Sequence, residues 1–148
     1  MLGKKSIWFS NHTVESISHL CRDNMLEHLN IKVEDIGSDY IIASMPVDHR
    51  TVQPMRILHG GASVALAESL GSIGSYLTVD QSQFHCVGIE VNANHLKSVT
   101  SGRVFAKASP IRMGKKIQVW NIEIRDEKKD LVCVSRLTMA VLPVRSSS

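Results

Sequence analysis

The chain has 148 residues, of which 43% are hydrophobic and 21% are charged. This length predicts one domain, residues 1–143, and the composition excludes a disordered chain. A formal net charge of +3 is too small to indicate a nucleic-acid-binding protein. The cysteines number 3, an odd count, and have no Cys-x-x-Cys spacing, so they indicate neither a disulfide framework nor a zinc site. Free thiols without a signal-peptide pattern predict a cytoplasmic location and no membrane contact.

The N-terminal half of the chain alternates between helical and strand-like patterns. Apolar residues recur at helical spacing over 14–29, which predicts one amphipathic helix. Two short strand-like runs, 31–36 and 40–47, are joined by a Gly-Ser-Asp turn and predict a hairpin. Residues 48–58 have no regular period and predict a loop, whereas residues 60–77 again have a helical pattern.

The C-terminal half of the chain predicts only strands. The segments rich in Val, Ile and Thr, separated by short polar turns, are 84–96, 102–111, 117–125 and 131–142. One long central helix against a five- to six-stranded antiparallel sheet makes an α+β fold. Residues 144–148 predict a disordered tail.

Two of these strands have unusual apolar patterns. The strand 131–142 has apolar residues at both odd and even positions, which predicts that both of its faces are covered. In the strand 117–125 the apolar residues move from odd to even positions at Val119-Trp120, which predicts a bulge or a strong local twist there.

The central helix begins at His59-Gly60-Gly61. First-turn N–H groups have no partner within a helix, and together with the helix dipole they suit an anion or a developing oxyanion. The alternative is that the glycines only permit a tight turn into the helix.

Glu68 is the one carboxylate in the interior of this helix, and its neighbours are apolar or small. Burial of an ionised carboxylate is costly, so the pKa of such a group moves toward the range that suits a base or a nucleophile. Ser72 and Ser75 follow at i+4 and i+7 and predict a narrow polar stripe with Glu68. The alternative is a solvated outer face, although such a face usually carries several charged residues.

The spacing of Gly60 and Glu68 has a geometric consequence. They are eight residues apart, which is about 12 Å of helix rise. A Gly60 N–H at a carbonyl oxygen and a Glu68 oxygen near the same carbonyl carbon must lie within a few ångströms of each other. If both act on one bond, we expect a site built from two subunits across a two-fold axis.

The motif Gln53…His59-Gly60-Gly61-Ala62-Ser63…Glu68…Ser72 resembles the hotdog-fold acyl-CoA thioesterases. It is most similar to the bacterial branch that hydrolyses aromatic substrates such as 1,4-dihydroxy-2-naphthoyl-CoA in menaquinone synthesis. The resemblance extends from about residue 24 to residue 143. It includes Met45-Pro46-Val47-Asp48, Gly88-Ile89-Glu90-Val91-Asn92-Ala93-Asn94-His95, Gln118-Val119-Trp120 and Ser135-Arg136-Leu137-Thr138.

The resemblance implies a catalytic role for five residues. Glu68 attacks the thioester or activates water, while the Gly60 N–H and Gln53 polarise the carbonyl. His59 orients the substrate or the leaving group, and Ser72 positions water. The acyl pocket is lined by helix residues, namely Ala62, Ser63 and either Leu70 or Ile73. The family also implies a homodimer with shared active sites, and a homotetramer of two such dimers.

The resemblance further implies a binding surface for coenzyme A, which is part of the substrate, so that no separate cofactor and no metal is expected. The residues of this surface are Gly88, His95, Leu96, Lys97, Ser98, Arg112, Met113, Gly114, Lys115, Lys116 and Ile117. The cations among them suit phosphates. The alternative is that the Met-Gly-Lys-Lys segment is an ordinary hairpin turn with solvated lysines. Met55-Arg56 departs from the aromatic and small residues of related enzymes and leaves the acyl group open.

Two further functions compete with acyl-CoA hydrolysis. One is proofreading release of misloaded aryl groups from an acidic carrier protein, which the basic residues also suit. The other is a non-catalytic acyl-CoA-binding module of the same fold. A hydratase is disfavoured because the helix carries Glu68 where hotdog hydratases pair His with Asp, and the absence of Gly-x-Ser-x-Gly disfavours a serine hydrolase.

Overall fold

The structure is a computed structural model that describes residues 5–144. Its elements, in chain order, are α1 (Val14–Ile17), a 3₁₀ turn (Ser18–Cys21), α2 (Met25–His28), β1 (Lys32–Ile36), β2 (Ile41–Pro46), α3 (Gly60–Leu77), β3 (Phe84–His95), β4 (Arg103–Met113), β5 (Ile117–Asp126) and β6 (Leu131–Pro143). Of the tail predicted over 144–148, residues 145–148 lie outside the described residues. The Val144 N–H donates to the Gln83 carbonyl at 2.8 Å.

The strands form one six-stranded antiparallel sheet in the order β1-β2-β4-β5-β6-β3. Helix α3 packs across one face of this sheet, and side chains such as Leu66, Ile122 and Leu137 are fully buried between the two. The α+β prediction is confirmed, as are the hairpin, the central helix and the four C-terminal strands. Strand β3 lies at the edge of the sheet, where one side of its backbone has no neighbouring strand within the described residues.

Two glycines allow α3 to approach the sheet closely. A Cβ atom at Gly71 would lie 2.5 Å from the Leu137 side chain, and one at Gly74 would lie 3.0 Å from the Trp120 ring. The large side chains at this contact, Trp120 and Leu137, belong to the sheet, and both are fully buried. The glycines of α3 therefore determine how closely this helix packs against the sheet.

The prediction of one helix over 14–29 is wrong. The backbone at Asp23 adopts a positive φ of 57°, and Arg22 is extended, so the segment breaks into α1, the 3₁₀ turn and α2. Asn24 is the cause we identify, because its side chain accepts from the Leu26 N–H and donates to the Leu20 carbonyl. Asparagine competes with the backbone for hydrogen bonds and favours a helix cap over a helix interior.

The predicted irregularity at Val119-Trp120 is confirmed, whereas the prediction that both faces of β6 are covered is wrong for the single chain. Buried Gln118 occupies the same core face of β5 as Trp120, and its Oε1 accepts from the Ser75 hydroxyl and the Trp120 indole N–H. The bulge lies opposite Val119-Trp120, because Trp120 pairs with Pro110 and Val119 with Arg112, and the extra residue Ile111 is carried by β4. On β6 the second face of the single chain is partly open, since Arg136 is exposed.

The N-terminal segment packs against the end of α3. The Trp8 ring stacks on Trp120 at 6.4 Å between ring centroids, and its indole N–H donates to the Gly37 carbonyl at 2.6 Å. The Phe9 N–H donates to the carbonyl of Leu77, the last residue of α3, while the Phe9 side chain remains 58% exposed. Within residues 5–144, no helix is both long enough and apolar enough to cross a membrane.

Candidate functional site

The first turn of α3 leaves one backbone donor free. His59 caps this helix, because its Nδ1 accepts from the Gly61 N–H at 2.8 Å. The N–H groups of Ala62 and Ser63 donate to the His59 carbonyl. Among the described residues, the Gly60 N–H makes no hydrogen bond. The capping arrangement therefore satisfies its neighbours and leaves Gly60 as the available donor.

The loop before this helix orients Gln53. The Gln53 N–H donates to the Ile57 carbonyl, and the Arg56 N–H donates back to the Gln53 carbonyl at 2.8 Å. Arg56 adopts a positive φ of 64° in this tight turn. The Gln53 Oε1 accepts from the Met55 N–H, so the side-chain oxygen faces its own loop. Because the amide nitrogen has no partner among the described residues, its two N–H groups are available to a ligand.

Gly60 and Gln53 open into a common cavity of about 310 Å³, which we call the donor cavity. Its lining residues are Gln53, Ile57, Leu58, Gly60, Ser63, His95, Leu96, Lys97, Ser98 and Val132. A Cβ atom on Gly60 would lie 2.7 Å from the His95 Nε2, so any larger residue at position 60 would displace His95. This close approach explains why a glycine occupies the helix start.

Glu68 opens into a second cavity of about 640 Å³, the carboxylate cavity. It is lined by Leu20, Met25, Leu26, Gly61, Val64, Ala65, Glu68, Ser69, Ser72, Ile73, Tyr76 and Cys86. Glu68 is half-buried, and it has no ion pair or hydrogen bond among the described residues. Its Oε1 rests against Gly88, at 2.9 Å from the place that a Cβ there would occupy. The one carboxylate in an apolar cavity is therefore free to react.

Ser72 lies beside Glu68 in this cavity, with its hydroxyl 3.7 Å from the Met139 sulfur. Ser75 does not continue the polar stripe, because it is fully buried and donates to Gln118 on the sheet side. Burial raises the pKa of the Cys86 thiol. Cys86 is therefore protonated at neutral pH, and Glu68 is the acidic side chain among the residues that line this cavity.

Of the helix residues expected to line an acyl pocket, Ile73 lies in the carboxylate cavity. Ser63 instead lines the donor cavity, and Leu70 is buried in the core. Four lining residues of the carboxylate cavity were not predicted from the sequence, namely Leu20, Met25 and Leu26 before the sheet and Tyr76 on α3. The helical spacing of Leu20, Met25 and Leu26 predicts an amphipathic helix but not its contacts. Which of these side chains face Glu68 is determined by the break in the helix at Asn24.

A third cavity of about 1,090 Å³, the lysine cavity, lies at the far end of α3. Its lining residues are Phe9, Thr78, Val79, Asp80, Gln83, Phe84, Met113, Gly114, Lys115, Lys116, Ile117, Gln118, Ala140, Val141, Leu142 and Pro143. A Cβ on Gly114 would lie 2.4 Å from the Ile117 carbonyl oxygen, so this tight turn requires a glycine. Lys115 and Lys116 on this wall and Arg112 beside Gly114 have exposed side chains and no ion pair among the described residues.

Within one chain, the residues expected to bind coenzyme A fall into two distant groups. His95 pairs with Cys133 on β6, whereas Ile117 pairs with Ala140. These positions on β6 are seven residues apart, about 24 Å along the strand. The His95–Ser98 group therefore lies at the donor cavity and the Arg112–Ile117 group at the lysine cavity, with Gly88 between them beside Glu68.

No group of His, Cys, Asp and Glu side chains within residues 5–144 is arranged to hold a metal ion. The described part of the chain thus offers three elements of a site: a backbone donor with an amide, a carboxylate in an apolar cavity, and free cations. An acyl-transfer hydrolase uses groups of these kinds: N–H donors at the carbonyl oxygen of the substrate and a carboxylate near the carbonyl carbon.

Comparison with known proteins assigns this arrangement to a family. Residues 55–133 match the family model described as the thioesterase superfamily. The 1,4-dihydroxy-2-naphthoyl-CoA hydrolase of Escherichia coli is 49% identical over 136 residues, which are 92% of this chain and 99% of that protein. A proofreading thioesterase of Cronobacter sakazakii is 43% identical over 136 residues, covering 92% of this chain and 98% of that protein.

Solved structures give the same result. A thioesterase from Haemophilus influenzae superimposes with a TM-score of 0.91 at 47% identity, covering 95% of this chain and 97% of the other. A mutant thioesterase from Pseudomonas aeruginosa gives a TM-score of 0.92 at 47% identity, covering 94% and 100%. The fold is thus that of a hotdog thioesterase. The chain belongs to the thioesterase superfamily, and it is a thioester hydrolase.

Proposed function

We propose that the protein hydrolyses aromatic acyl-CoA thioesters to a free acid and CoA. The observation that carries this proposal is the pair of cavities on α3. One presents unpaired donors at Gly60 and Gln53, and the other presents the unpaired carboxylate of Glu68 among apolar side chains. The +3 charge and the free cations of the lysine cavity suit the phosphates of CoA.

The chemistry assigned to these groups is an acyl transfer in one or two stages. The thioester carbonyl oxygen accepts from the Gly60 N–H and the Gln53 amide, which stabilise the negative charge that develops on it. Glu68 either attacks the carbonyl carbon or takes a proton from an attacking water that Ser72 positions. If Glu68 attacks, the C–S bond breaks to leave an anhydride with Glu68, the thiolate takes a proton from solvent and leaves as CoA, and water then hydrolyses the anhydride to the acid. If Glu68 acts as a base, the proton that it takes from water passes to the thiolate as the C–S bond breaks, and the acid forms in that one stage. His59 orients the leaving group.

The walls of the carboxylate cavity support an aromatic acyl group. The cavity holds about 640 Å³ and is lined mainly by apolar side chains from α3 and from residues 20–26. Tyr76, which is 37% exposed, is the aromatic side chain on this wall. The Escherichia coli relative is a 1,4-dihydroxy-2-naphthoyl-CoA hydrolase, which supports a bicyclic aryl substrate and a place in menaquinone synthesis.

We propose further that each site is shared by two chains of a homodimer, and that two dimers form a tetramer. Cys86 at the carboxylate cavity and His95 at the donor cavity are separated by nine residues of β3, about 30 Å along the strand. Antiparallel pairing of two full-length β3 edges would place the start of one strand beside the end of the other. Cys86 would then lie about 8 Å from the end of the partner's strand.

The same pairing unites the two groups of CoA-binding residues. Phe84 lies at the start of β3 and lines the lysine cavity, whereas His95 at its end lines the donor cavity. Across the two-fold axis, the lysine cavity of one chain would adjoin the donor cavity of the other. One extended CoA molecule then reaches both groups, which 24 Å of β6 separates within a single chain.

A carrier protein is the second candidate source of the thioester. The Cronobacter sakazakii relative is a proofreading thioesterase, and Lys115 and Lys116 offer exposed positive charge that suits an acidic carrier. A phosphopantetheine arm on a carrier ends in the same thioester, so the chemistry at Glu68 is unchanged.

The test measures kcat/KM for dihydroxynaphthoyl-CoA, hydroxybenzoyl-CoA, a straight-chain acyl-CoA and an aryl-loaded carrier protein. We expect the aromatic CoA thioesters to be preferred by at least about tenfold. Glu68→Ala should lose more than about a thousandfold in kcat on all of them while retaining substrate binding. Equal low rates on every thioester would contradict the aromatic assignment, and faster turnover of the loaded carrier would favour the proofreading function. Unchanged turnover in Glu68→Ala would contradict the mechanism.

A single turnover in ¹⁸O-water distinguishes the two roles of the carboxylate. Attack by Glu68 forms an anhydride whose hydrolysis places label in the Glu68 side chain or in the acid, whereas base catalysis places label in the acid alone. Label in Glu68 would therefore exclude pure base catalysis.

A further inference from the structure

We infer that Lys97 is a positioning residue, which fixes the His95–Ser98 segment of the donor cavity, and that it is not a ligand of the substrate's phosphates. This inference rests on the proposed function. It revises the expectation that Lys97 shares the role of Arg112, Lys115 and Lys116.

Both carboxylates that Lys97 contacts belong to the β5–β6 turn. The Lys97 Nζ donates to the Asp126 Oδ2 at 2.6 Å and to the Asp130 Oδ2. These partners hold the pKa of Lys97 above its ordinary value and that of Asp126 below its own, through hydrogen bonds within the group. Both carboxylates occupy the Lys97 ammonium. A phosphate would have to displace them to bind this ammonium.

The turn that supplies these carboxylates is itself well held. The Asp126 Oδ1 accepts from the backbone N–H groups of Lys128 and Asp130, at 3.0 and 2.9 Å. The Arg125 guanidinium donates to the carbonyl of Lys129, which has a positive φ of 68°. The ion pairs therefore tie the segment after β3 to a rigid anchor.

The tied segment lies between the turn and the loop that carries Gln53. The N–H groups of Leu96 and Lys97 donate to the Val132 carbonyl at 2.8 and 3.3 Å. On its other side, the Leu58 N–H donates to the Val99 carbonyl at 2.7 Å. Movement of residues 95–99 would therefore move both walls of the donor cavity, including His95 beside Gly60.

The lysines of the β4–β5 turn keep their positive charge free. Lys115 and Lys116, with Arg112 before them, have no carboxylate partner among the described residues, and Ile117 beside this turn lies about 24 Å from His95 along β6. A phosphate can bind there without first breaking an existing ion pair. The structure thus divides the cations into a structural one at the donor cavity and binding ones at the lysine cavity.

The experiment compares two substrates on four proteins. The substrates are benzoyl-CoA and the benzoyl thioester of N-acetylcysteamine, which keeps the thiol end of CoA and lacks its phosphates. The proteins are the wild type, Lys97→Met, Asp130→Asn and the control Lys128→Met, which removes a lysine from the same turn without touching the ion pairs. Asp130 is exposed, so its substitution leaves folding intact if Lys97→Met does not fold.

We expect Lys97→Met to lower kcat about tenfold on both thioesters, because two unpaired carboxylates repel and the donors lose alignment. Asp130→Asn should lower kcat about twofold on both, and Lys128→Met should leave both unchanged. A raised KM for benzoyl-CoA alone in Lys97→Met would overturn the inference, and so would a lowered KM for benzoyl-CoA in Asp130→Asn. Unchanged kinetics in both variants would overturn it as well.

A second measurement does not depend on turnover. Amide hydrogen exchange of Leu96 and Lys97 should be at least about tenfold faster in Lys97→Met than in the wild type, because their bonds to Val132 open more often. Unaltered exchange would overturn the inference. Failure of the wild type to hydrolyse either thioester would instead overturn the proposed function, and the exchange result would still decide the role of Lys97.

Discussion

At the scale of single residues, His59 caps helix α3 with one imidazole nitrogen and leaves the other for the chemical role that we propose. Its Nδ1 accepts the Gly61 N–H, so that nitrogen carries no proton and the proton of the neutral ring lies on Nε2. The ring is exposed, and its Nε2 edge is therefore available as a donor. Because the cap occupies the N–H next to Gly60, His59 also determines which backbone donor remains free.

We predict that His59→Ala and His59→Asn separate these roles. Loss of a helix cap should reduce the free energy of unfolding of His59→Ala by about 1 kcal/mol, and the amide oxygen of His59→Asn should restore it. Both variants should lose at least about tenfold in kcat/KM, because neither carries the imidazole donor. Chemical denaturation and steady-state kinetics check the two effects. Wild-type activity in His59→Asn would show that capping is the whole role.

The loop that precedes Gln53 begins at an ion pair between Asp48 and Arg50, which can be detected through the pKa of Asp48. The Arg50 guanidinium lies 2.6 Å from the Asp48 carboxylate and lowers its pKa to about 2. We predict that an NMR titration gives this low pKa and that Arg50→Met raises it toward about 4. The stabilisation by this pair is complete above the unfolded pKa of about 4 and is lost as the pH falls through about 2. A pKa near 4 in the wild type would contradict the pair.

At the scale of elements, strand β3 places a bulge beside Glu68, the carboxylate that we propose as catalytic. Gly88 pairs with Met139 and Glu90 with Thr138, so Ile89 has no partner on β6. The bulge changes which residues face the helix, from Cys86 and Gly88 before it to Val91 after it. The backbone at Gly88 is thereby left as the surface against which Glu68 rests.

We predict that Gly88→Ala damages catalysis more than stability. The new Cβ would lie 2.9 Å from the Glu68 Oε1, and this flexible carboxylate can move aside. The free energy of unfolding should change by less than about 1 kcal/mol, whereas kcat should fall at least about tenfold through misplacement of Glu68. In a Glu68→Ala background the same substitution should have no further effect on kcat. A strong effect in that background would assign Gly88 another role.

The elements that were predictable from the sequence are those with strong local periodicity. Helix α3 and the strands β3 to β6 have patterns that tertiary contacts reinforce. The segment 14–29 was not predictable, because its apolar spacing conflicts with one Asn24 cap. The apolar pattern of β5 predicted the position of the irregularity but not the strand that carries the extra residue, since the pairing of β5 with β4 is a long-range property. The burial of Gln118 was not predictable either, since a buried Gln118 satisfied by Ser75 cannot be distinguished in sequence from a solvated polar residue.

At the scale of the whole molecule, the residues of the site are divided between cavities that one chain does not join. The sequence predicted this division from the eight-residue spacing of Gly60 and Glu68 alone. It did not predict that the CoA-binding residues divide as well, because the strand order that separates His95 from Ile117 is a long-range property. The ion pairs of Lys97 were likewise hidden, since Asp126 and Asp130 are about 30 residues away in the chain.

We predict that two inactive variants complement each other. In a mixed dimer of Glu68→Ala and Gln53→Ala, one site carries both defects and the other carries neither. Equal mixing after reversible dissociation should restore about a quarter of wild-type activity, since half of the dimers are mixed and each has one intact site. The control mixes each variant with itself. No recovery, with mixed dimers demonstrated by mass, would place the whole site within one chain.

The exposed edge of β3 also bears on how the protein is made. A strand of twelve residues with an open backbone edge can template the addition of any other strand, including one from a misfolded chain. The unpaired residue at Ile89 interrupts the regular ladder and bends the edge, which favours one alignment over slipped ones. In the dimer that we propose, this bulge would limit the aggregation of a newly synthesised chain before a second copy pairs with its edge. Gly88, which contacts Glu68, and Ile89, which interrupts the edge, are neighbours in the chain, so substitutions there would affect both the proposed site and the edge.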